Sequence, residues 1–125
     1  MPIPDQNTLV EIMSRHGERP ETGLDQRVRF PLRHCFGEMH VRGTDPNDHT
    51  TVELVDLSFS GVGFTTRAEL KPGEHVVIAF GVTGLPNQTW DCRVQRCSPL
   101  YAGTYHVGAT FAARAARARK AHAHT

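Results

Sequence analysis

The sequence has 125 residues, and its 14 Lys and Arg residues against 13 Asp and Glu residues give a formal net charge of +1. This length suits one domain with a real hydrophobic core, and the 38% hydrophobic content excludes a disordered chain. The near-neutral charge argues against a protein whose whole surface binds a polyanion such as DNA. A local basic site for a small anion remains possible.

No apolar run approaches the roughly 20 residues that a membrane helix needs, so we expect no membrane span. The N-terminus, MPIPDQNTLV, lacks the basic and apolar regions of a signal peptide, and we expect a cytoplasmic protein. The cysteines Cys35, Cys92 and Cys97 are odd in number and contain no Cys-x-x-Cys pair. We therefore predict reduced, mostly buried thiols rather than a disulfide framework or a zinc knuckle.

Residues 1–26 are predicted to form an N-terminal appendage, a short helix followed by a linker. Thr8 and Glu11 have the spacing of a capping box, and Gly17 can end the helix. The next stretch, GERPETGLDQ, is rich in turn residues. The residues at helical spacing are Leu9, Ile12, Met13 and His16.

From about residue 32 the hydrophobic period changes to two, which is typical of β-strands. Alternation is clearest in TWDCRVQRC, where Asp91, Arg93 and Gln95 are predicted to face away from the core. Turn signals such as GTDPND, KPGE and TGLPNQ separate the segments. About six short strands predict a mainly β fold, a small antiparallel barrel or sandwich. The other predicted strands are HCFGEMHVR, TTVELV, GVGFTT, HVVIAFGV and TYHVGATF.

The last stretch, AARAARARKAHAHT, contains strong helix formers and predicts a C-terminal α-helix, followed by a mobile tail at residues 121–125. Its basic residues could contact nucleic acid or anionic lipid, but a solvated basic face near the negative end of the helix dipole is the favoured interpretation. These residues are Arg114, Arg117, Arg119 and Lys120.

Nothing in the pattern predicts catalysis or a metal site. The eight histidines are scattered over different predicted elements without ligand spacing. Ser60 lacks the Gly-x-Ser-x-Gly elbow of hydrolases, and no phosphate-binding P-loop is present. We expect a protein that is not an enzyme and that needs no cofactor or metal.

The first polar cluster precedes the first predicted barrel strand in QRVRFPLR. Arg29 and Arg33 are four residues apart, and Arg27 adds a further charge. The planar guanidinium binds phosphate through two hydrogen bonds and stacks on a planar base. Four residues span up to about 13 Å in an extended chain, enough to cover the phosphates and a base of a small nucleotide. In isolation, the same spacing is common in basic linkers.

The second cluster is Asp-x-Ser-x-x-Gly, at Asp56, Ser58 and Gly61. If this segment is a strand, Asp56 and Ser58 point to one face. A carboxylate accepts hydrogen bonds from guanine N–H groups, and Gly61 allows a close approach of a base. In isolation, the motif Asp-x-Ser-x-x-Gly more commonly indicates a turn in which the Asp56 side chain accepts a hydrogen bond from its own backbone.

The order and separation of these two motifs resemble the PilZ domain family. The family's hallmarks are an Arg-x-x-x-Arg segment before the first strand and an Asp/Asn-x-Ser-x-x-Gly motif on a following strand. This sequence has RFPLR at 29–33 and DLSFSG at 56–61. The likeness extends from about residue 26 to residue 120 and includes CRVQRC and HVGATF, so we assign a PilZ-like domain to residues 27–120.

The resemblance implies a six-stranded antiparallel β-barrel with a C-terminal α-helix that binds cyclic di-GMP. It implies that Arg29 and Arg33 grip phosphate and guanine. Asp56 and Ser58 would contact a guanine, and Gly61 would shape the surface beneath it. Such a receptor or adaptor passes the signal to an unidentified effector protein when ligand orders its N-terminal arginine segment.

A second register of the arginine motif is possible. Members of the family commonly follow the second Arg with an apolar-Pro-apolar run, and Phe30-Pro31-Leu32 follows Arg29. That register makes Arg29 the second Arg and places Asp25 at the first position. The register of Arg29 and Arg33 is favoured because it keeps both charges, and Arg27 can assist in either.

Two other functions remain open on the sequence. A PilZ-like module can act only through protein contacts, for example in surface motility or pilus assembly, without binding cyclic di-GMP. A β-barrel that binds RNA or single-stranded DNA is less favoured, because most aromatic residues fall on predicted core faces. We therefore expect no DNA or RNA partner.

Overall fold

The computed structural model describes residues 4–17, 28–45, 47–82 and 84–111. These residues form one helix and six strands, each strand falling on a segment of period-two hydrophobicity. The elements are α1 (Gln6–His16), β1 (Phe30–Val41), β2 (Thr50–Leu57), β3 (Gly61–Thr66), β4 (His75–Phe80), β5 (Gln88–Tyr101) and β6 (Thr104–Phe111).

The six strands close into an antiparallel barrel in the order β1-β2-β3-β6-β5-β4. Closure is completed where β1 pairs with β4, for example through Met39 opposite Ile78. The predicted mainly β, six-stranded antiparallel barrel with a short N-terminal helix is thereby confirmed. The predicted C-terminal helix and the tail at 121–125 lie outside the described residues.

The barrel interior is filled by side chains around Trp90. The Trp90 ring meets Phe80 and Phe111 edge-to-face, at centroid distances of 4.7 and 5.4 Å. Its indole N–H donates a hydrogen bond to Gln88 Oε1 at 3.1 Å, so the one polar atom of the ring is satisfied. Buried apolar side chains come from every strand and from α1. Because the interior is packed, a polar ligand has room only on the outer surface of the barrel.

Helix α1 begins with Asp5 as its N-cap residue. The Asp5 carboxylate accepts a hydrogen bond from the Thr8 backbone N–H at 2.7 Å, and this bond lowers the pKa of Asp5. The predicted capping box at Thr8 and Glu11 is therefore wrong. The N-cap is Asp5, and Thr8 lies inside the first turn of the helix. At 11 residues, α1 is too short to cross a membrane, and the described residues contain no other helix.

The apolar face of α1 belongs to the same core as the barrel. Leu9, Ile12 and Met13 are fully buried, at helical spacing as predicted. Gly17 ends the helix and donates its N–H to the Met13 carbonyl at 2.8 Å. A Cβ at Gly17 would collide with the Pro31 carbonyl, so only glycine lets the helix end come this close to β1.

Strand β1 is interrupted by a bulge near its start. Pro31 pairs with Asp56 and Cys35 pairs with Leu54, so three residues of β1, numbers 32–34, face the single residue Val55 of β2. His34 takes the left-handed conformation, with φ of 55°, within this bulge. As a result the consecutive side chains of Arg33 and His34 are both exposed, which a regular strand does not allow.

The three cysteines are free thiols, as predicted. Cys35 and Cys92 are buried and Cys97 is partly buried. Burial, with a smaller contribution from the charge of Glu53, raises the pKa of the Cys35 thiol to about 11. Burial, helped by the charge of Asp91, also raises the pKa of Cys92.

Candidate functional site

The Asp-x-Ser-x-x-Gly motif spans the end of β2 and the tight turn into β3. Ser58 follows the last residue of β2, and its hydroxyl accepts hydrogen bonds from the backbone N–H groups of Ser60 at 3.2 Å and Gly61 at 3.1 Å. The Ser58 N–H donates to the Gly61 carbonyl at 2.9 Å. Ser58 is 1% exposed, so the expectation that it shares an outward face with Asp56 is wrong. The strand ends between the two residues, and Ser58, not Asp56, holds the turn.

Gly61 lies at the first position of β3, opposite Thr110 of β6. A Cβ at Gly61 would overlap the carbonyl of Ala109, so this close approach of two strands requires glycine. Gly61 therefore shapes the backbone beneath the outer surface.

Asp56 belongs to a row of residues that crosses the outer face of the barrel. Pro31 pairs with Asp56, Asp56 with Gly63, Gly63 with Gly108, and Gly108 with Arg96. Directly opposite residues point to the same side of a sheet. The residues that flank Gly63 and Gly108 along β3 and β6, namely Val62, Phe64, Val107 and Ala109, are buried in the core, so this row faces outward.

Gly63 and Gly108, which we call the glycine pair, lie at the centre of this row. The Asp56 carboxylate folds over Gly63, since a Cβ built there would lie 2.5 Å from Oδ1. The Arg96 guanidinium group covers Gly108 from the other side, with Nε 3.2 Å from the corresponding Cβ position. Without side chains at the glycine pair, an acidic and a basic group can lie flat against the sheet next to each other.

The two oxygens of the Asp56 carboxylate have different neighbours. Oδ1 accepts a charge-assisted hydrogen bond from Arg29 Nη1 at 2.8 Å. Oδ2 lies 3.9 Å from His106 Nε2, which is longer than a hydrogen bond. Arg29 and Asp56 are partly exposed, at 41% and 25% of their side chains, so the pair can exchange its contacts with a ligand.

Arg33 is directed elsewhere. Its exposed side chain lines a cavity of about 500 Å³ between the end of α1 and the β1 bulge, together with Arg15, His16 and His34. The structure therefore brings Arg29 and Asp56 together, while Arg33 lies at a separate cavity that adjoins the row at Pro31. Arg27 and Asp25, which the two motif registers involve, lie outside the described residues.

Sequence reasoning missed two residues of this surface, Arg96 and His106. Strict alternation in β5 assigns Arg96 to the core side with Trp90 and Val94. A bulge between Val94 and Arg96 reverses the alternation of inward and outward side chains along β5. It places Arg96 opposite Gly108, on the outer face. The signal was present, because an arginine at a core position of an alternating strand indicates a bulge. The proximity of His106 to Asp56 follows from the pairing of β3 with β6, which the sequence does not reveal.

The arrangement can recognise a flat, polar ring that carries a phosphate. Asp56 offers acceptor oxygens, Arg29 and Arg96 offer planar donor groups, and the glycine pair provides a surface without side chains of its own. Among residues 4–17, 28–45, 47–82 and 84–111, no group of three or more His, Cys, Asp or Glu could hold a metal ion.

Comparison with known proteins gives one family. The family model of the PilZ domain matches residues 14–122 of this chain. No curated protein matches the chain.

Proposed function

The chain belongs to the PilZ domain family, and from that premise we propose that it is a receptor for cyclic di-GMP that relays this second messenger to an effector protein. Within this proposal the protein is a binding module and not an enzyme, and the nucleotide is its ligand. The ligand binds on the outer face of the barrel, over the row from Asp56 to Arg96.

The observation that carries the proposal is the carboxylate of Asp56 lying over Gly63, with a guanidinium group at each side. Guanine has N–H donors on its Watson–Crick edge and the acceptors O6 and N7 on the adjacent major-groove edge. Asp56 is suited to accept from the first edge, and an arginine is suited to donate to the second edge or to phosphate. A neutral or wholly basic patch lacks this complementarity.

Arg29 has the role of an exchangeable partner. Without ligand it donates to Asp56 Oδ1. When guanine N–H groups take over the Asp56 oxygens, the Arg29 guanidinium is released to bind a phosphate of the same ligand, so one charged hydrogen bond replaces another. Arg33 provides a further phosphate contact from the β1 bulge. Ser58 and Gly61 act mainly by fixing the turn that holds Asp56, and a direct contact of Ser58 with guanine stays a prediction.

In this proposal the signal is a conformational change of the segment around Arg29. Arg29 leaves Asp56 and binds the ligand, and the segment moves with it. A ligand shifts a conformational equilibrium only through contacts that differ between the two states. The exchange of Arg29 from Asp56 to phosphate is such a difference, and it lies next to the start of β1. An effector protein that contacts this segment would distinguish the free receptor from the bound one.

The test is calorimetric titration with cyclic di-GMP of the wild type, Arg29→Ala, Asp56→Ala and Arg67→Ala. Arg67 is an exposed arginine just beyond the end of β3 and serves as the matched control. We expect micromolar binding by the wild type and by Arg67→Ala, and affinity at least about tenfold lower in the other two variants. No binding by the wild type, or equal affinities in all four proteins, would contradict the proposal.

One observation favours a second function, a PilZ-like module that acts by protein contacts without the nucleotide. Asp56 is already paired with Arg29, and Arg33 lines the cavity at α1 instead of the Asp56 surface. In this alternative the Arg29–Asp56 pair fastens the start of β1 permanently. A partner that is captured equally with and without cyclic di-GMP, together with no calorimetric signal, would support it.

A further inference from the structure

Strand β3 ends before the two strands beside it do. Glu53 of β2 pairs with Thr65 of β3, but residues 50–52 of β2 pair only with β1 among the described strands. On the other side, β6 begins at Thr104, while its pairing with β3 begins one residue later, at Tyr105. A cavity of about 350 Å³ opens where β3 stops, between the free edges of β2 and β6. Unpaired strand edges can accept a further strand through backbone hydrogen bonds.

Two exposed aromatic side chains lie at this cavity. Four large apolar side chains of the described residues are exposed, and two of them, Phe36 at 56% and Tyr101 at 68%, line the cavity. Leu100, which is 52% exposed, is next to Tyr101 in the chain. Val52 is buried and also lines the cavity, so an apolar side chain that enters from outside meets an apolar surface. Exposed aromatic groups around an opening are typical of surfaces that bind a protein.

The cavity also has one acidic and one basic side chain that are available to a partner. Glu53 and Arg67 both line it, and neither side chain forms an ion pair or a hydrogen bond within the part of the chain that the structure describes. Such groups favour a partner with opposite charges at matching positions. The Glu53 carboxylate repels a phosphate backbone, so this pair of charges suits a polypeptide better than a nucleic acid.

The cavity adjoins the surface of the Asp56 row. Thr65 lies two residues after Gly63 in β3, so both positions belong to the same side of the sheet. Thr65 also pairs with His106, whose Nε2 is 3.9 Å from Asp56 Oδ2. A polypeptide seated at Thr65 therefore lies next to a ligand bound over the glycine pair, and direct contact between the two can couple their affinities.

We propose that this cavity is the docking site of the effector protein, which adds an extended segment along the edge of β2 and takes the place that a longer β3 would fill. The segment places an apolar side chain against Phe36 and Tyr101. A basic residue of the segment meets Glu53, and an acidic residue meets Arg67. The inference rests on the proposed function in taking this partner to be the effector.

The probe is a phage-displayed library of random dodecapeptides, selected on the whole chain. We expect the enriched peptides to share an apolar residue flanked by a basic and an acidic residue. The best peptide, made synthetically, should bind the wild type saturably in fluorescence anisotropy, and it should bind Phe36→Ala and Tyr101→Ala at least about tenfold more weakly. Leu100→Ala is the matched control, since Leu100 is exposed but is not among the described residues that line the cavity. No shared motif, or equal affinities for Phe36→Ala and the wild type, would overturn the inference.

The charge contacts and the backbone contacts are tested separately. Arg67→Glu should weaken binding of the peptide about tenfold, and replacing the acidic residue of the peptide by lysine should restore the affinity. Bound peptide should slow hydrogen exchange of at least one backbone amide in residues 50–52, as an added strand does. Failure of the charge swap would remove Arg67 from the site, and unchanged exchange at all of these amides would rule out strand addition.

The remaining outcomes distinguish this inference from the proposed function. Self-association in sedimentation velocity that is abolished by Phe36→Ala would assign the cavity to a second copy of this chain and overturn the effector as its occupant. If cyclic di-GMP gives no calorimetric signal while peptide binding depends on Phe36 and Tyr101, the receptor function fails and the docking site stands. If the nucleotide binds but no peptide is enriched, the docking site fails and the receptor function stands.

Discussion

The carboxylate of Asp56 occupies the space that a side chain at Gly63 would fill. A Cβ built on Gly63 would lie 2.5 Å from Oδ1 and 2.7 Å from Oδ2 of Asp56. The two residues are direct partners across β2 and β3, so their backbones are fixed and the carboxylate alone can move. The position of the acceptor oxygens therefore depends on a glycine that is not part of the recognised motif.

Gly63→Ala should weaken cyclic di-GMP binding at least about tenfold, because the added methyl group pushes the Asp56 carboxylate away from its place between Arg29 and His106. The barrel should remain folded, since the atoms in the way are the end of a side chain. Calorimetry measures the affinity and circular dichroism the fold. The matched control is Gly81→Ala, in an exposed loop where Asn87 Oδ1, at 3.2 Å, is the one described atom near the new methyl group, and it should leave affinity unchanged.

The Arg29–Asp56 ion pair should contribute little to stability. A double-mutant cycle with Arg29→Gln and Asp56→Asn, followed by urea unfolding, should give a coupling free energy below about 1 kcal/mol, as partly exposed pairs do. Cyclic di-GMP binding should instead fall in each single variant. A coupling free energy of about 2 kcal/mol or more would indicate that the pair is a structural clamp and would favour the function without nucleotide.

The alternating pattern located the six strands and the fold class because core-facing residues repeat every second position, a local property of the chain. Spacing also identified Arg29 and Asp56, and the structure brings these two residues into contact. What the sequence did not reveal depends on pairing between distant strands. Bulges in β1 and β5 change which residues face outward, and they arise from register against β2 and β6.

Arg33 and Ser58 illustrate this limit. A regular strand predicts the same face for positions two apart, but β2 stops at Leu57 and Ser58 turns inward to bind the backbone. Arg33 sits in a bulge whose three residues oppose Val55, and it faces the end of α1. The spacing of residues along the sequence does not by itself predict where a strand ends or where a helix packs against the barrel.

Ser58→Ala should destabilise the fold by about 1–3 kcal/mol, because two backbone N–H groups lose their acceptor in a buried turn. Urea unfolding of the variant measures this loss. Thr89→Ala is the control, since Thr89 is exposed on β5 and should change the free energy of unfolding by less than about 0.5 kcal/mol. A stable Ser58→Ala protein with lost nucleotide binding would instead assign Ser58 to direct ligand contact.

Thiol labelling should distinguish the three cysteines. The thiolate is the reactive form, so the raised pKa of Cys35, about 11, and the raised pKa of Cys92 both lower the reactive fraction at pH 8. Burial also blocks the reagent. We expect iodoacetamide to modify Cys97 first in the folded protein and all three after unfolding, as read by peptide mass spectrometry. Cys92 labelled as fast as Cys97 in the folded state would contradict the buried position of Cys92.

Arg96→Ala should weaken cyclic di-GMP binding about tenfold while leaving the free energy of unfolding nearly unchanged. Arg96 is exposed and rests over Gly108, so its removal leaves no cavity in the core, but it takes away the donor group on the side of the glycine pair opposite Asp56. Arg96→Lys should restore only part of the affinity, because an ammonium group cannot donate in a planar fork or stack on a base. If Arg96→Ala bound the nucleotide as tightly as Arg67→Ala, the ligand would contact only the Asp56 side of the row.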